Sequence, residues 1–134
     1  MAIRKFLIER WPTQVVSGMA LGVDQWAAQE ALELGIPFLA ALPCDNMHVT
    51  WPLPSQERFE VLLAKAGQVV VVSPGVYKPW KLQRRNEFIV DNCDLLAAVW
   101  DGSSGGAANC LDYAAQLDRT VIQLPWRDDP TISG

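Results

Sequence analysis

A chain of 134 residues with a formal net charge of −4 at pH 7 has room for one domain around one core. Half of its residues are hydrophobic and 19% are charged, which argues against a disordered chain. The acidic balance disfavours a broad electrostatic grip on nucleic acid, which needs clustered Lys and Arg, but a small phosphate site needs only a few backbone N–H groups.

Residues 2–10 read as a helix with Ile3, Phe6 and Leu7 on one face, ended by Pro12. QVVSG at 14–18 is a short strand. Residues 22–34 form an amphipathic helix with Val23, Trp26, Ala27, Ala31 and Leu34 on its apolar stripe, and Gly35 fits the left-handed position that closes it. IPFLAAL at 36–42 is a buried strand, followed by a long loop containing Trp51, Pro52 and Pro54. Residues 55–66 are helical, with Phe59, Leu62, Leu63 and Ala66 in register and Gly67 as the stop. VVVVS at 69–73 is a strand whose four consecutive valines fit a sheet buried on both faces. A second loop leads to a helix over residues 80–92, and DLLAAVW at 94–100 is the fourth strand. Residues 106–117 form a helix with Ala107, Cys110, Leu111, Ala114 and Leu117 inward, and TVIQL at 120–124 is the fifth strand.

Continuous apolar strands separated by amphipathic helices define an α/β fold: a Rossmann-like three-layer sandwich around a mostly parallel sheet of five strands. The expected single domain covers residues 1–127, with a flexible polar tail over 128–134. Cys44, Cys93 and Cys110 lie far apart without a C-x-x-C pair, and no secretory signal is present, so reduced thiols in the cytoplasm are expected. Each cysteine reads as a small core residue rather than a nucleophile. The lone His48 has no second ligand near it in sequence, so no metal is expected. No apolar run approaches the ~20 residues that span a bilayer.

In open parallel sheets ligands bind at the carboxyl ends of strands. Two glycine-containing loops fall there. SGMALGVD at 17–24 joins a strand to a helix N-terminus, where free N–H groups and the positive helix end favour an anion. Gly18 and Gly22 let the backbone approach a phosphate, Ser17 adds a hydroxyl, and Asp24 is placed to cap the helix or meet a ligand hydroxyl. DGSSGG at 101–106 repeats the arrangement, with Asp101, Ser103, Ser104, Gly105 and Gly106. A plain turn is the alternative for each loop; two at one sheet edge favour a shared anion site. In QRRN at 83–86, Arg85 and Asn86 are candidates for phosphate contact, against the alternative of a solvated charged turn. Trp51, Gln56 and Tyr77 are weaker candidates for contact with a base, and ordinary packing is favoured for them.

These motifs resemble the SLOG superfamily of Rossmann-like proteins, which includes the DprA group and the LOG cytokinin-activating enzymes. The YpsA-like branch of bacteria and phages is the nearest in pattern. The resemblance runs from Val15 to Leu124 and rests on SGMALGVDQWAAQEALELGIPF, WPLPSQERF, QRRNEFIVDNCDLLAAVWDG and SSGGAANCLDYA in that order. It implies a nucleotide, NAD or ADP-ribose type of ligand without a certain cofactor. LOG-type phosphoribohydrolases carry a catalytic Glu after their glycine loop. Asn109 stands near that position here, and an amide is no general base. Arg85 matches the helix arginine of those enzymes. The family pattern also opens with a strand and a Thr-Gly-His-Arg-like loop, whereas this chain opens at the following helix. By resemblance that strand is central, so three outcomes are expected: an upstream start, closure of the gap by the other strands, or shielding of the edge by a second copy.

The expected function is therefore binding of a nucleotide or nucleotide-derived ligand in a sensory or regulatory role, by a homo-oligomer without nucleic-acid or membrane partners. Two alternatives stay open. One is N-glycosidic or phosphoribosyl hydrolysis using Asp101 or Asp24. The other is an interaction module with a vestigial pocket.

Overall fold

In the computed structural model the described residues are 2–99 and 106–124. Helix and strand alternate along the chain: α1 (Ala2–Arg10), β1 (Val15–Ser17), α2 (Val23–Leu34), β2 (Phe38–Leu42), α3 (Leu53–Ala64), β3 (Gln68–Val71), α4 (Pro79–Asp91), β4 (Leu95–Val99), α5 (Gly106–Gln116) and β5 (Thr120–Leu124). Local chemistry explains the boundaries. Ile3 and Leu7, one turn apart, bury the inner face of α1. Gly35 closes α2 at φ 77°, where its own N–H reaches Leu32 and the Ile36 N–H reaches Ala31, satisfying carbonyls the helix would leave open. α3 starts two residues before its expected position because Pro52 and Pro54 suit a helix start, and it stops at Lys65 rather than Gly67.

All pairings are parallel. The expected single sheet of five strands is corrected: β1, β2 and β3 form one sheet with β2 central, and β4 and β5 form another. A cavity of about 460 Å³ separates β1 from β4 and is lined by both, so their backbones stay beyond the ~4.8 Å spacing that pairing requires. Among the described residues, the strands therefore do not close the gap.

Three burial expectations also change. The valine run is an edge strand, not one buried on both faces: Gln68 and Val69 are exposed and Val70 and Val71 half-buried. A run of β-branched residues encodes strand conformation but not the number of neighbours. Trp26 is 37% exposed, while Gln25 takes the inner position because its amide donates to the Met19 carbonyl at 3.2 Å. Leu117 lies past the end of α5 and is exposed.

The main core joins Ile3, Leu7, Met19, Ala28, Ala31, Phe38, Ala40 and Phe59 between α1–α3 and the first sheet. Among the described residues a second cluster, Val90, Leu96 and Ala114, lies between α4, α5 and the second sheet.

Candidate functional site

The carboxyl ends of β1, β2 and β3 open on a cleft of about 490 Å³. Leu21, Met47, Leu82, Trp51 and Tyr77 give it apolar and aromatic surface, and Arg85 gives it a cationic side chain. Thus Trp51, Tyr77 and Arg85, singled out from three separate segments, meet at one place.

Each is held by its surroundings. Trp51 stands edge-on to Phe59, with ring centroids 5.4 Å apart and planes at 89°. Gln56 also has a supporting role: its amide donates to the carbonyls of Trp51 at 2.8 Å and Val49 at 3.3 Å, pinning the turn into α3. Tyr77 is exposed, on a loop fixed from two sides. Gly75, at φ 98°, donates its N–H to the Asp45 carboxylate at 2.8 Å and accepts the Asp45 N–H at 3.1 Å. The buried Lys81 ammonium donates to the carbonyls of Pro74 at 2.9 Å and Val76 at 2.6 Å. Sequence reading missed Lys81 and Asp45, because a lysine at a helix start and an aspartate in a loop look solvated until the partner loop is in place.

Arg85 is the buried centre of a second layer. Its Nη1 donates to the Gly18 carbonyl at 2.6 Å and its Nε to the Asn86 amide oxygen at 3.1 Å. Asn86, expected as a ligand contact, is buried and engaged with Arg85. Gly18 is tightly enclosed: a Cβ there would stand 2.6 Å from Arg85 Nη1 and 2.9 Å from an Asp24 carboxylate oxygen. Asp24 as a residue is half-buried, yet burial around its carboxyl raises its pKa, while the Arg85 charge and the Ala20 N–H oppose that rise. Burial likewise lowers the pKa of Arg85, with Asp24 opposing. Burial pushes the Cys110 thiol up to about 11 despite the nearby Arg85 charge, which fits the expectation that it is not a nucleophile.

The first glycine loop is closed by its own side chains. Ser17 Oγ accepts the Met19 N–H at 3.1 Å and donates to the Asp24 carbonyl at 2.7 Å, and the Asp24 carboxylate accepts the Ala20 N–H at 3.3 Å. Two amides of the expected anion cradle are thereby satisfied internally. Gly22 adopts φ 90°, a conformation that favours glycine, at the start of α2. Of the second loop, Asp101, Ser103, Ser104 and Gly105 lie outside the described residues, and Gly106 enters only as the first residue of α5.

His48 stacks on Phe59 at 4.4 Å and its Nε2 lies 3.3 Å from Glu60, a packing role beside the cleft. Among the described residues no cluster of His, Cys, Asp and Glu could hold a metal ion, and no helix is long and apolar enough to cross a membrane.

Parallel strands, helical crossovers and a cleft at the strands' carboxyl ends define a Rossmann-like α/β domain. The chain belongs to the DNA recombination-mediator protein A family, whose model matches residues 3–134. It is similar to the uncharacterised SPbeta prophage-derived protein YoqJ of Bacillus subtilis, with 30% identity over 115 residues, covering 74% of this chain and 67% of that protein. It is also similar to the UPF0398 protein YpsA of the same organism, with 28% identity over 126 residues, covering 90% of this chain and 69% of that one. These relatives bear out the YpsA-like, SLOG resemblance. The X-ray structure of DNA processing protein A from Streptococcus pneumoniae shares the fold, with a TM-score of 0.71 at 21% identity over 91% of this chain. The chain spans about two-thirds of the curated relatives' length and 44% of that structure.

Proposed function

We propose that this domain binds a nucleotide or nucleotide-derived ligand, in a sensory or regulatory role, in the cleft at the carboxyl ends of β1–β3. The observation that carries this reading is the convergence of Trp51, Tyr77 and Arg85 on that cleft. An aromatic and apolar wall suits a planar base, which stacks without needing a particular hydrogen-bond pattern. The Arg85 guanidinium in the cleft wall suits an anionic group on the same ligand. The cleft has the size of a small-molecule site, and the net charge of −4 favours a single nucleotide over a nucleic-acid strand.

Thermal unfolding with millimolar AMP, NAD and ADP-ribose tests this. A ligand present at 100 times its Kd adds about 2.7 kcal/mol of stability, a clear rise in Tm. The rise is expected to vanish in Trp51→Ala and to shrink in Tyr77→Ala, whose exposed ring contributes little to folding. No rise with any of the three, in protein shown to be folded, overturns the reading.

A further inference from the structure

Three walls of the cleft belong to different segments of the chain. Residues 43–52, after β2, carry Met47, Val49 and Trp51; residues 74–78, after β3, carry Tyr77; and α4 carries Leu82 and Arg85. The middle segment is a strap with no anchor in the core. None of residues 74–80 is buried, and Val76 and Tyr77 stand exposed. Its backbone belongs to neither helix nor strand until α4 begins at Pro79. Among the described residues, every hydrogen bond from residues 74–77 to the rest of the chain ends on Asp45 or Lys81.

Asp45 and Lys81 tie the strap to its two neighbouring walls. Asp45 belongs to the segment that carries Trp51. Its carboxylate accepts the Gly75 N–H at 2.8 Å and its own N–H donates to the Gly75 carbonyl at 3.1 Å, a clasp of two bonds between the loops after β2 and β3. Lys81 belongs to the helix that carries Leu82 and Arg85. Its buried ammonium donates to the carbonyls on either side of Gly75, those of Pro74 and Val76, and lies 5.5 Å from the centre of the Trp80 ring. A buried ammonium is costly unless its protons are bonded, so strap and lysine hold one another. A strap that lifted away would strip the charge of both acceptors. Gly75 suits this junction, because it adopts φ 98° and a Cβ there would stand 3.4 Å from Lys81 Nζ.

Neither Asp45 nor Lys81 lines the cleft. On the reading of the cleft as a nucleotide site, we propose that Asp45 and Lys81 are positioning residues, which act through the strap to hold Tyr77 where one ligand reaches Trp51, Tyr77 and Arg85 together. The Tyr77 ring owes its place to polar ties rather than to core packing. Loosening the strap therefore lowers ligand affinity while leaving the core intact.

The test compares Asp45→Ala, Asp45→Asn and Lys81→Met with the wild-type chain by two measurements. The first needs no ligand. Backbone order parameters from NMR relaxation at residues 75–77 are expected near about 0.85 in the wild type and below about 0.6 in Asp45→Ala and Lys81→Met. Ala40 and Ala41 in central β2 are expected to stay rigid throughout, and Asp45→Asn, which keeps an oxygen acceptor, to resemble the wild type. The second is titration with AMP, NAD and ADP-ribose. Asp45→Ala is expected to weaken binding about fivefold or more, up to the loss seen in Tyr77→Ala. Asp45→Asn should restore most of that affinity, and Asp45→Ala added to Tyr77→Ala should weaken it no further. Order parameters that do not differ between wild type and Asp45→Ala overturn the proposal. So does wild-type affinity in Asp45→Ala, or a loss that adds in full to that of Tyr77→Ala, since the aspartate would then act on the fold rather than through the ring. These outcomes leave the nucleotide reading standing. A folded wild-type chain that binds none of the three ligands overturns both.

Discussion

Among the described residues, the two sheets share one architecture but differ in the size of the buried cluster packed on each. Around β1–β3, eleven buried residues form a continuous core that includes Phe38 and Phe59. Around β4 and β5 the buried set among the described residues is Val90, Leu96 and Ala114. The difference follows from who covers whom: β2 has a strand on each side and is buried along its whole length, whereas β4 has β5 on one side and the cavity on the other. Among the described residues, α4 ties the halves together through its packing on β2 and the Arg85 bond to Gly18. Local stability should follow this asymmetry.

The largest effect expected is from Phe38→Ala, which opens a void in the main core and costs about 4 kcal/mol, against about 2 kcal/mol for Val90→Ala in the small cluster. Chemical denaturation with amide exchange separates them. Phe38→Ala should speed exchange in both sheets, and Val90→Ala chiefly in β4 and β5. Equal loss of protection in both sheets from Val90→Ala would mean that the halves are one cooperative unit, and the comparison would fail.

The second contrast concerns the junction. Gly18→Ala must displace the buried Arg85 guanidinium and strain its bond to the Gly18 carbonyl, costing about 2 kcal/mol. Gly22→Ala meets no atom within 4 Å but places a side chain at φ 90°, costing about 1 kcal/mol. Urea midpoints should rank them in that order. The reverse order would show that the loop conformation, not the Arg85 contact, limits stability there.

The smallest effect is the pH dependence of the same junction. Burial holds the Asp24 pKa above its ordinary 3.8, so the folded chain keeps this proton longer than the unfolded chain. Stability contributed by the protonated group is present below 3.8 and is lost as pH rises through the folded value. Relative to the Asp24→Asn variant, the wild-type chain should therefore lose stability as pH rises above 3.8, read from urea melts at each pH. A gap that widens in favour of wild type as pH rises would mean that the Arg85 charge outweighs burial.

Helix and strand identities were legible because they depend on neighbours a few residues apart. The Ile3–Leu7 spacing, the Gly35 stop and the valine run each encode a local conformation, and β5 lies where TVIQL places it. The candidate site was legible in part. Trp51, Tyr77 and Arg85 could be picked by residue type and by position after a strand, and they do share a cleft. The roles of Ser17, Gln56 and Asn86 could not, because a short polar side chain serves a ligand or its own backbone according to what stands within about 3 Å. Lys81 and Asp45 gave no signal at all, since each gains meaning only from a loop about thirty or fewer residues away in sequence.

The order of hydrophobic and polar residues by itself determined the alternation of elements and the parallel α/β class, and the motifs carried the resemblance to the family. Tertiary structure alone decided that the strands divide into two sheets, that the valine strand lies at an edge and that Arg85 turns inward to Gly18. The physical reason is range: conformational preference is set along the chain, whereas pairing, burial and charge compensation are set by atoms that only folding brings together.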